Sequence, residues 1–171
     1  MASIAGELRL DGERLAVRIE RRYVATTREV WDAISTPERL RRWFAEVSGD
    51  LRQGGEFGVV FGEGDDNVSH GRVIDCQPPS RLEVTWSFGA GADDSILVAE
   101  LASEDEHTIL TLDHRGIPTD QIGYGAGWEA YLDRLDAHMG GGQLGDWWEA
   151  TSRLIPAYSA AAAALDADRE H

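Results

Sequence analysis

Two histidines lie on strands that are predicted from apolar alternation. These strands could orient both side chains towards a pocket. His70 shares a strand face with Arg72 and Ile74, and His114 shares one with Leu112. A histidine at a pocket mouth could act as a general acid or base, because its ordinary pKa lies near neutrality. The alternative interpretation places these polar side chains at strand ends, where they reach solvent.

No arrangement of nucleophile, base and acid with a recognised spacing accompanies these histidines. The sequence contains no nucleophile elbow and no HExxH, CxxC or Walker motif. The segment GGGQLG at 140–145 has neither the preceding strand nor the following lysine of a phosphate loop, and we interpret it as a hinge. The 5 histidines are scattered without ligand spacing. We therefore predict no catalytic residues, no metal site and no cofactor.

The aromatic residues that could line a pocket lie first on a long helix predicted from 120 to 139. Its apolar side chains recur at helical spacing and form one wide stripe. The stripe consists of Tyr124, Trp128, Tyr131, Leu132, Leu135 and Met139. Thr119 or Asp120 can cap the start of the helix, and glycines 140–142 can end it. A stripe so rich in large rings must be covered, which suggests a curved sheet folded onto this helix.

Short segments before that helix supply the sheet. A strand is predicted from Leu15 to Tyr23. A helix capped by Thr26 follows, with Glu29 reaching back, and a second helix has Pro37 at its first position. Further strands are predicted near 45–51, 57–61, 70–76, 82–88, 96–102 and 108–115, with turns that include 62–67 and 89–94. Residues 1–13 are interpreted as a loose arm or an extra edge strand. This order favours an antiparallel sheet in an α+β fold.

The chain is predicted to divide into a domain at 1–139 and a helical tail at 140–171. Trp147 and Trp148 are adjacent in the tail, and their combined apolar surface is too large to be left exposed to solvent. The tail therefore packs on the domain, or it marks the face of a partner or a homodimer. Pro156 is expected to break or kink the tail helix, because proline has no backbone N–H to donate.

Composition excludes several classes of protein. The formal net charge of -15 argues against non-specific binding to nucleic acid or to anionic membranes. The sequence contains no apolar run long enough to span a bilayer and no basic and apolar leader at its start. Cys76 is the single cysteine, so no internal disulfide can form. These features predict a cytoplasmic protein.

The run VRIERRYVATTREVWDAISTPERLRRWF at 17–44 resembles the opening of the SRPBCC, or START-like, superfamily. Within that superfamily it is most similar to the family named after the activator of the heat-shock protein 90 ATPase. Further matching features are Gly54-Gly55-x-Phe57, Gly71-x-Val73, Pro79-x-x-Leu82-x-x-x-Trp86 and Gly127-Trp128-x-x-x-Leu132-x-x-Leu135. The resemblance covers roughly residues 16–139, and it specifies a fold much better than a function.

The resemblance implies a helix-grip fold, in which a curved antiparallel sheet surrounds the long C-terminal helix. Two short helices follow the first strand and often roof a cavity between sheet and helix. Part of the aromatic stripe would then line the cavity. Together with strand parity, this yields the cavity candidates Trp43, Phe57, His70, Trp86, Leu112, His114, Tyr124, Trp128 and Tyr131. Trp147 and Trp148 are the candidates for a partner surface.

Three functions stay open at this level. The first is non-catalytic binding of a small apolar or amphipathic ligand, which follows from the implied cavity and the missing catalytic set. The second is a bacterial regulatory protein that acts through protein contacts, including the toxin or effector member of a pair with a winged-helix repressor, with a role in stress response. The third is an enzyme of the cyclase or hydrolase kind, ranked last because no residue set carries it.

Overall fold

The computed structural model describes residues 3–61, 68–88 and 95–171. Strands and helices lie close to their predicted positions. The elements are β1 (Glu7–Asp11), β2 (Arg14–Tyr23), α1 (Thr27–Ser35), α2 (Pro37–Trp43), β3 (Glu46–Gly49), β4 (Glu56–Val60), β5 (Val68–Gln77), β6 (Arg81–Phe88), β7 (Ser95–Glu104), β8 (His107–Ile117), α3 (Gly123–Met139) and α4 (Trp147–Arg169). The turns predicted at 62–67 and 89–94 lie outside the described residues.

The described strands form one eight-stranded antiparallel sheet in the order β1-β2-β8-β7-β6-β5-β4-β3. β1 pairs with β2 at the sheet edge, with Leu8 opposite Val17. The edge-strand interpretation of the N-terminal residues is therefore confirmed for Glu7–Asp11. This sheet, the two short helices after β2 and the long C-terminal helices make an α+β fold of the helix-grip class, as predicted.

The two short helices begin where the sequence predicts them to begin. The hydroxyl of Thr26 accepts the backbone N–H of Glu29 at 3.2 Å, and the Glu29 carboxylate accepts the backbone N–H of Thr26 at 2.8 Å. This reciprocal pair satisfies two donors that the first helical turn leaves without partners. Pro37 occupies the first turn of α2, where its missing N–H removes no helical bond.

The chain divides into two compact units. One comprises Met1–Glu20 and Asp113–His171, and the other comprises Arg21–Leu112. The described core of the first unit is Leu15, Ala16, Val17, Ile19, Ile117, Ala126, Trp128, Ala130, Leu132, Leu135, Leu154, Ala157, Tyr158 and Ala162. The described core of the second is Tyr23, Val30, Trp31, Ala33, Leu40, Trp43, Val47, Phe57, Val59, Val73, Val84, Trp86, Val98, Ala99, Leu101 and Leu110.

The start of α3 differs from its prediction. The helix begins at Gly123, and the residue before it, Ile122, forms no side-chain capping bond. Capping by Thr119 or Asp120 is therefore wrong. These two residues lie in a turn in which the carbonyl of Pro118 accepts the N–H of Gln121 at 2.9 Å. The end of α3 is as predicted, because Gly140 caps it and Gly141 has φ +73°, a conformation that glycine adopts without steric cost.

α4 continues through Pro156, so the expected break is absent. The proline removes one backbone hydrogen bond from the helix. A buried stripe on both sides of it compensates, since α4 packs against α3 and β1. The stripe is formed by Thr151, Leu154, Ala157, Tyr158 and Ala162.

Candidate functional site

Aromatic rings surround His114 in the first unit. The ring of His114 lies 4.7 Å from that of Tyr124 and 6.0 Å from that of Trp128. The series continues from Trp128 to Tyr131 at 6.3 Å and from Tyr131 to Trp147 at 5.2 Å. We call these five residues the helix cluster. Tyr124, Trp128 and Tyr131 follow each other at helical spacing on α3, which places their rings on one side of it.

His114 is the polar centre of the helix cluster. Its side chain is fully buried, and its Nδ1 accepts the indole N–H of Trp128 at 2.9 Å. A ring nitrogen that accepts a hydrogen bond carries no proton, so the proton of the neutral ring sits on Nε2. Burial lowers the pKa of His114 to about 3, because a charged imidazolium would lose its hydration there. His114 is therefore a neutral polar group among aromatic rings.

Tyr131 and Trp147 are two further members of the helix cluster. Burial raises the pKa of Tyr131 to about 12, so its hydroxyl keeps its proton throughout the physiological range. Trp147 donates its indole N–H to the carbonyl oxygen of Gly127 at 3.1 Å. This bond joins the start of α4 to the backbone of α3. His114 and Tyr131 are thus both uncharged at neutral pH.

A second buried polar group, Glu129 on α3, was not predicted. The carboxylate of Glu129 accepts the hydroxyl of Tyr158 at 2.5 Å and the backbone N–H of Ala5 at 3.0 Å. The Tyr158 hydroxyl in turn accepts the N–H of Gly6 at 3.0 Å. Helical spacing shows that Glu129 is not part of the aromatic stripe. Its partner Tyr158 lies on α4, so the packing of α4 on α3 is needed to identify it. This network joins the N-terminal segment, α3 and α4.

Five aromatic residues of the second unit form a further series, which we call the sheet cluster. Trp43 lies 5.5 Å from Phe44, and Phe44 lies 5.5 Å from Phe61. Trp86 lies 6.3 Å from Phe61 and 6.2 Å from Phe57, measured between ring centroids. Trp43 is held in place by its indole N–H, which donates to the carbonyl of Ala33 in α1 at 2.9 Å. The predicted candidates Trp43, Phe57 and Trp86 thus share one cluster.

His70 does not lie with these rings. His70, Arg72 and Ile74 share one face of β5, as predicted, but this face is exposed. Ser69 and Val73 occupy the buried face instead. The inward orientation considered for His70 is therefore wrong, and His70 leaves the set of cavity candidates. Alternation by itself describes both faces equally well, so the sequence could not decide between them.

The other predicted candidates take the following positions. Leu112 is half-buried in β8. Trp147 packs on α3 of its own chain, as described above, and is half-buried. Trp148 follows it at the start of α4 and is 72 % exposed, with its ring 6.2 Å from that of Trp147. Of the two partner-surface candidates, Trp148 alone retains an exposed ring.

The described part of the chain lacks two further kinds of feature. Residues 3–61, 68–88 and 95–171 contain no group of three or more His, Cys, Asp or Glu side chains arranged to hold a metal ion. Among the helices described, none has the length and apolar character needed to cross a membrane.

Comparisons with known proteins bear on this architecture. The family model described as Activator of Hsp90 ATPase homolog 1-like protein matches residues 24–140. CalU16 from Micromonospora echinospora is 32 % identical over 92 % of this chain and 98 % of its own, with a TM-score of 0.77. DynU16, from the dynemicin biosynthetic locus, is 30 % identical over 75 % of this chain and 48 % of its own, with a TM-score of 0.68.

A more distant likeness supports the fold alone. PFC0360w, an HSP90 activator from Plasmodium falciparum, is 23 % identical over 61 % of this chain and 74 % of its own, with a TM-score of 0.53. No curated protein matches the sequence. The family match covers most of the chain, and CalU16 matches it over nearly its whole length. The chain therefore belongs to the Activator of Hsp90 ATPase homolog 1-like family, within the SRPBCC superfamily.

Proposed function

We propose that this protein binds a small apolar or aromatic molecule non-covalently and without catalysis. The observation that carries the proposal is the buried, neutral His114, hydrogen-bonded to Trp128 within the helix cluster. Ligand sites combine mostly apolar walls with a few fixed polar groups, and the helix cluster has this composition. The hydrogen bond from Trp128 fixes both the orientation and the tautomer of the imidazole.

The protonation states of the cluster favour an uncharged ligand. His114 is neutral because burial lowers its pKa to about 3, and Tyr131 keeps its proton because burial raises its pKa to about 12. A charged ligand would lose its hydration without gaining a charged partner from these two side chains. We therefore expect neutral aromatic compounds to bind more tightly than carboxylates of the same size.

Two measurements test this function. Native mass spectrometry of the protein purified from its own host should reveal a bound molecule of constant mass. Equilibrium dialysis against neutral aromatic compounds and matched carboxylates should then give saturable binding that favours the neutral members. Failure of all neutral apolar probes to bind would overturn the proposal.

Two substitutions test whether the ligand binds at the helix cluster. Trp128→Phe keeps an aromatic ring but removes the N–H that His114 accepts, so we expect affinity to fall by about fivefold or more. Trp148→Phe is the matched control, because the same change is made at a largely exposed ring. Equal loss of affinity in both variants would count against the helix cluster.

A second candidate function rests on Trp148. Exposed large rings are enriched in protein interfaces, and this one lies at the start of α4 on a chain of net charge -15. A basic regulatory protein would complement that charge. The family description, which names an activator of the Hsp90 ATPase, also suggests a protein partner.

Co-purification from the native host tests this second function. A stoichiometric basic protein should be retained by the wild type and lost in Trp148→Ala. Val24→Ala is the control, because Val24 is also an exposed apolar residue, at 82 %, and lies outside α4. Retention of the partner by Trp148→Ala would contradict a role for this surface.

A further inference from the structure

The outward side of α4 carries two exposed large apolar side chains. Trp148 is 72 % exposed and Ile155 is 39 % exposed. Together with Ser152, which is also exposed, they stand at positions i, i+4 and i+7, so the three side chains lie in one row along the helix. This row is distinct from the buried stripe of α4, which contributes to the core of the first unit. It is an apolar surface that the chain leaves largely uncovered.

A second row, made of Glu149 and Arg153, runs beside the first. Both side chains are exposed, and they are four residues apart on the same face of α4. Within residues 3–61, 68–88 and 95–171, neither the Glu149 carboxylate nor the Arg153 guanidinium forms an ion pair or a hydrogen bond. Two opposite charges thus border the apolar row, and both are available to a partner.

The two rows are self-complementary when a second α4 lies antiparallel to the first. A two-fold axis midway between positions 148 and 155 passes next to Ser152. It places Trp148 of each copy opposite Ile155 of the other, with the small Ser152 side chains at the centre of the contact. The same axis brings Glu149 of each copy opposite position 154, one residue or about 1.5 Å along the helix from Arg153. Every contact then occurs twice, as in any two-fold interface.

Charge favours a second copy as the occupant of this surface. The chain has a net charge of -15, so two copies repel each other overall. On these rows, by contrast, one negative and one positive side chain balance, and the two-fold arrangement turns them into two attractive pairs between copies. An unlike partner would require no such symmetry in the spacing of the apolar and charged residues.

We propose that two copies of this chain form an antiparallel dimer through Trp148, Glu149, Ser152, Arg153 and Ile155 of α4. The contact covers about two turns of one helix per copy, so it is smaller than a standard interface of about 1,600 Å². The dimer is therefore weak, with a dissociation constant of roughly 10–100 µM. Dimer formation does not depend on ligand binding at the helix cluster, so it goes beyond the proposed function.

Sedimentation equilibrium of the full chain from about 5 to about 500 µM, at physiological salt, measures this association. Trp148→Ala should weaken dimerisation by about tenfold or more, because tryptophans buried at an interface are frequent hot spots. Ile155→Ala should weaken it by about fivefold. Ile74→Ala is the matched control and should leave it unchanged, because Ile74 is 42 % exposed but lies on β5.

Charge reversal tests the antiparallel register. Glu149→Arg and Arg153→Glu each place like charges opposite one another, so each variant alone should dimerise about tenfold more weakly than the wild type. Mixed in equal amounts, the two variants should form a heterodimer, because every charge pair between them is again attractive. The double variant Glu149→Arg/Arg153→Glu should regain wild-type dimerisation. All the substituted side chains are exposed, so the thermal midpoints should stay within about 3 °C of the wild type.

Three outcomes would contradict this dimer. A wild type that stays monomeric at about 500 µM would overturn it and leave an unlike protein as the occupant of the Trp148 surface. Equal dimerisation of the wild type, Trp148→Ala and Ile155→Ala would place the contact elsewhere and overturn the role of α4. Failure of the two charge variants to pair when mixed would overturn the antiparallel register.

Discussion

His114 is neutral in the folded protein because burial removes the water that would solvate an imidazolium. Its neighbour Trp128 supplies one hydrogen bond to the ring, and this bond is compatible only with an unprotonated Nδ1. A residue type that usually responds to pH near neutrality is thereby kept in one state. Its contribution to stability must then depend on pH in a defined direction.

The free energy of unfolding should fall as the pH drops from about 6.5 towards 3. The pKa of His114 is lowered from 6.5 to about 3 on folding, so within this window the unfolded chain binds a proton that the folded protein does not. Stability is fully present above the unfolded pKa and is lost at up to about 1.4 kcal/mol per pH unit below it.

Urea unfolding between pH 7.5 and 4.5 measures this effect, with His114→Gln as the reference. Glutamine can still accept the Trp128 N–H but has no pKa in this range. Other titrating groups act equally in both proteins, so the difference between the two curves isolates His114. Parallel curves would contradict a neutral, buried His114.

At the scale of elements, the helices depend on local caps and on close contacts between helices. The capping box of Thr26 and Glu29 is complete, whereas Thr36 at the start of α2 forms no side-chain capping bond. α3 and α4 approach each other through small residues on α3, with Tyr158 of α4 lying against Gly125. These two features make separate predictions.

Thr26→Ala should reduce stability by about 1 kcal/mol, because it removes the acceptor for the N–H of Glu29. Thr36→Ala is the control, and it should change stability by only a few tenths of a kcal/mol, since no capping bond is lost. Denaturant unfolding of the two variants measures the contrast. Similar losses would show that the capping bond contributes little.

Gly125→Ala should destabilise the protein by roughly 2 kcal/mol, because the added methyl would lie 2.5 Å from a ring carbon of Tyr158. Gly123 lies on the same helix, and a methyl group added there would have no atom within 4 Å. Gly123→Ala should therefore leave stability unchanged or raise it by up to about 1 kcal/mol. Thermal unfolding of both variants checks the prediction. A harmless Gly125→Ala would mean that Tyr158 can move away.

At the scale of the whole molecule, the sequence predicts that the helical segment 140–171 packs on the domain at 1–139 or on a partner. In the structure α4 packs on α3 and β1, and Tyr158 joins Glu129 to the N-terminal segment. The apolar stripe of α4 contributes to the core of the first unit. Loss of α4 would therefore affect more than a peripheral appendage.

A chain ending at Gly142 should lose more than about 3 kcal/mol of stability, since it lacks several buried side chains including Leu154 and Tyr158. Removal of residues 166–171, which are exposed, should cost less than about 1 kcal/mol. Circular dichroism during heating gives the midpoints, and gel filtration detects association through the uncovered face of α3. An unchanged midpoint in the shorter chain would support an independent tail.

The sequence by itself determined the features that depend on neighbouring residues. The capping box, proline at the start of α2, the strand positions and the glycines after α3 all follow from local spacing, and the quoted motifs identified the family. The helix cluster was also within reach, because Tyr124, Trp128 and Tyr131 recur at helical spacing.

Only the tertiary structure decided which surfaces are covered. Strand alternation is identical for both faces of β5, so the burial of Ser69 rather than His70 depends on residues from other strands. For the same reason, the sequence could not show that Trp147 contacts α3 while Trp148 stays exposed. It also could not show that Glu129 binds Tyr158, or that α4 continues through Pro156. Burial depends on contacts between residues that are distant in the chain. These contacts cannot be deduced from local sequence patterns.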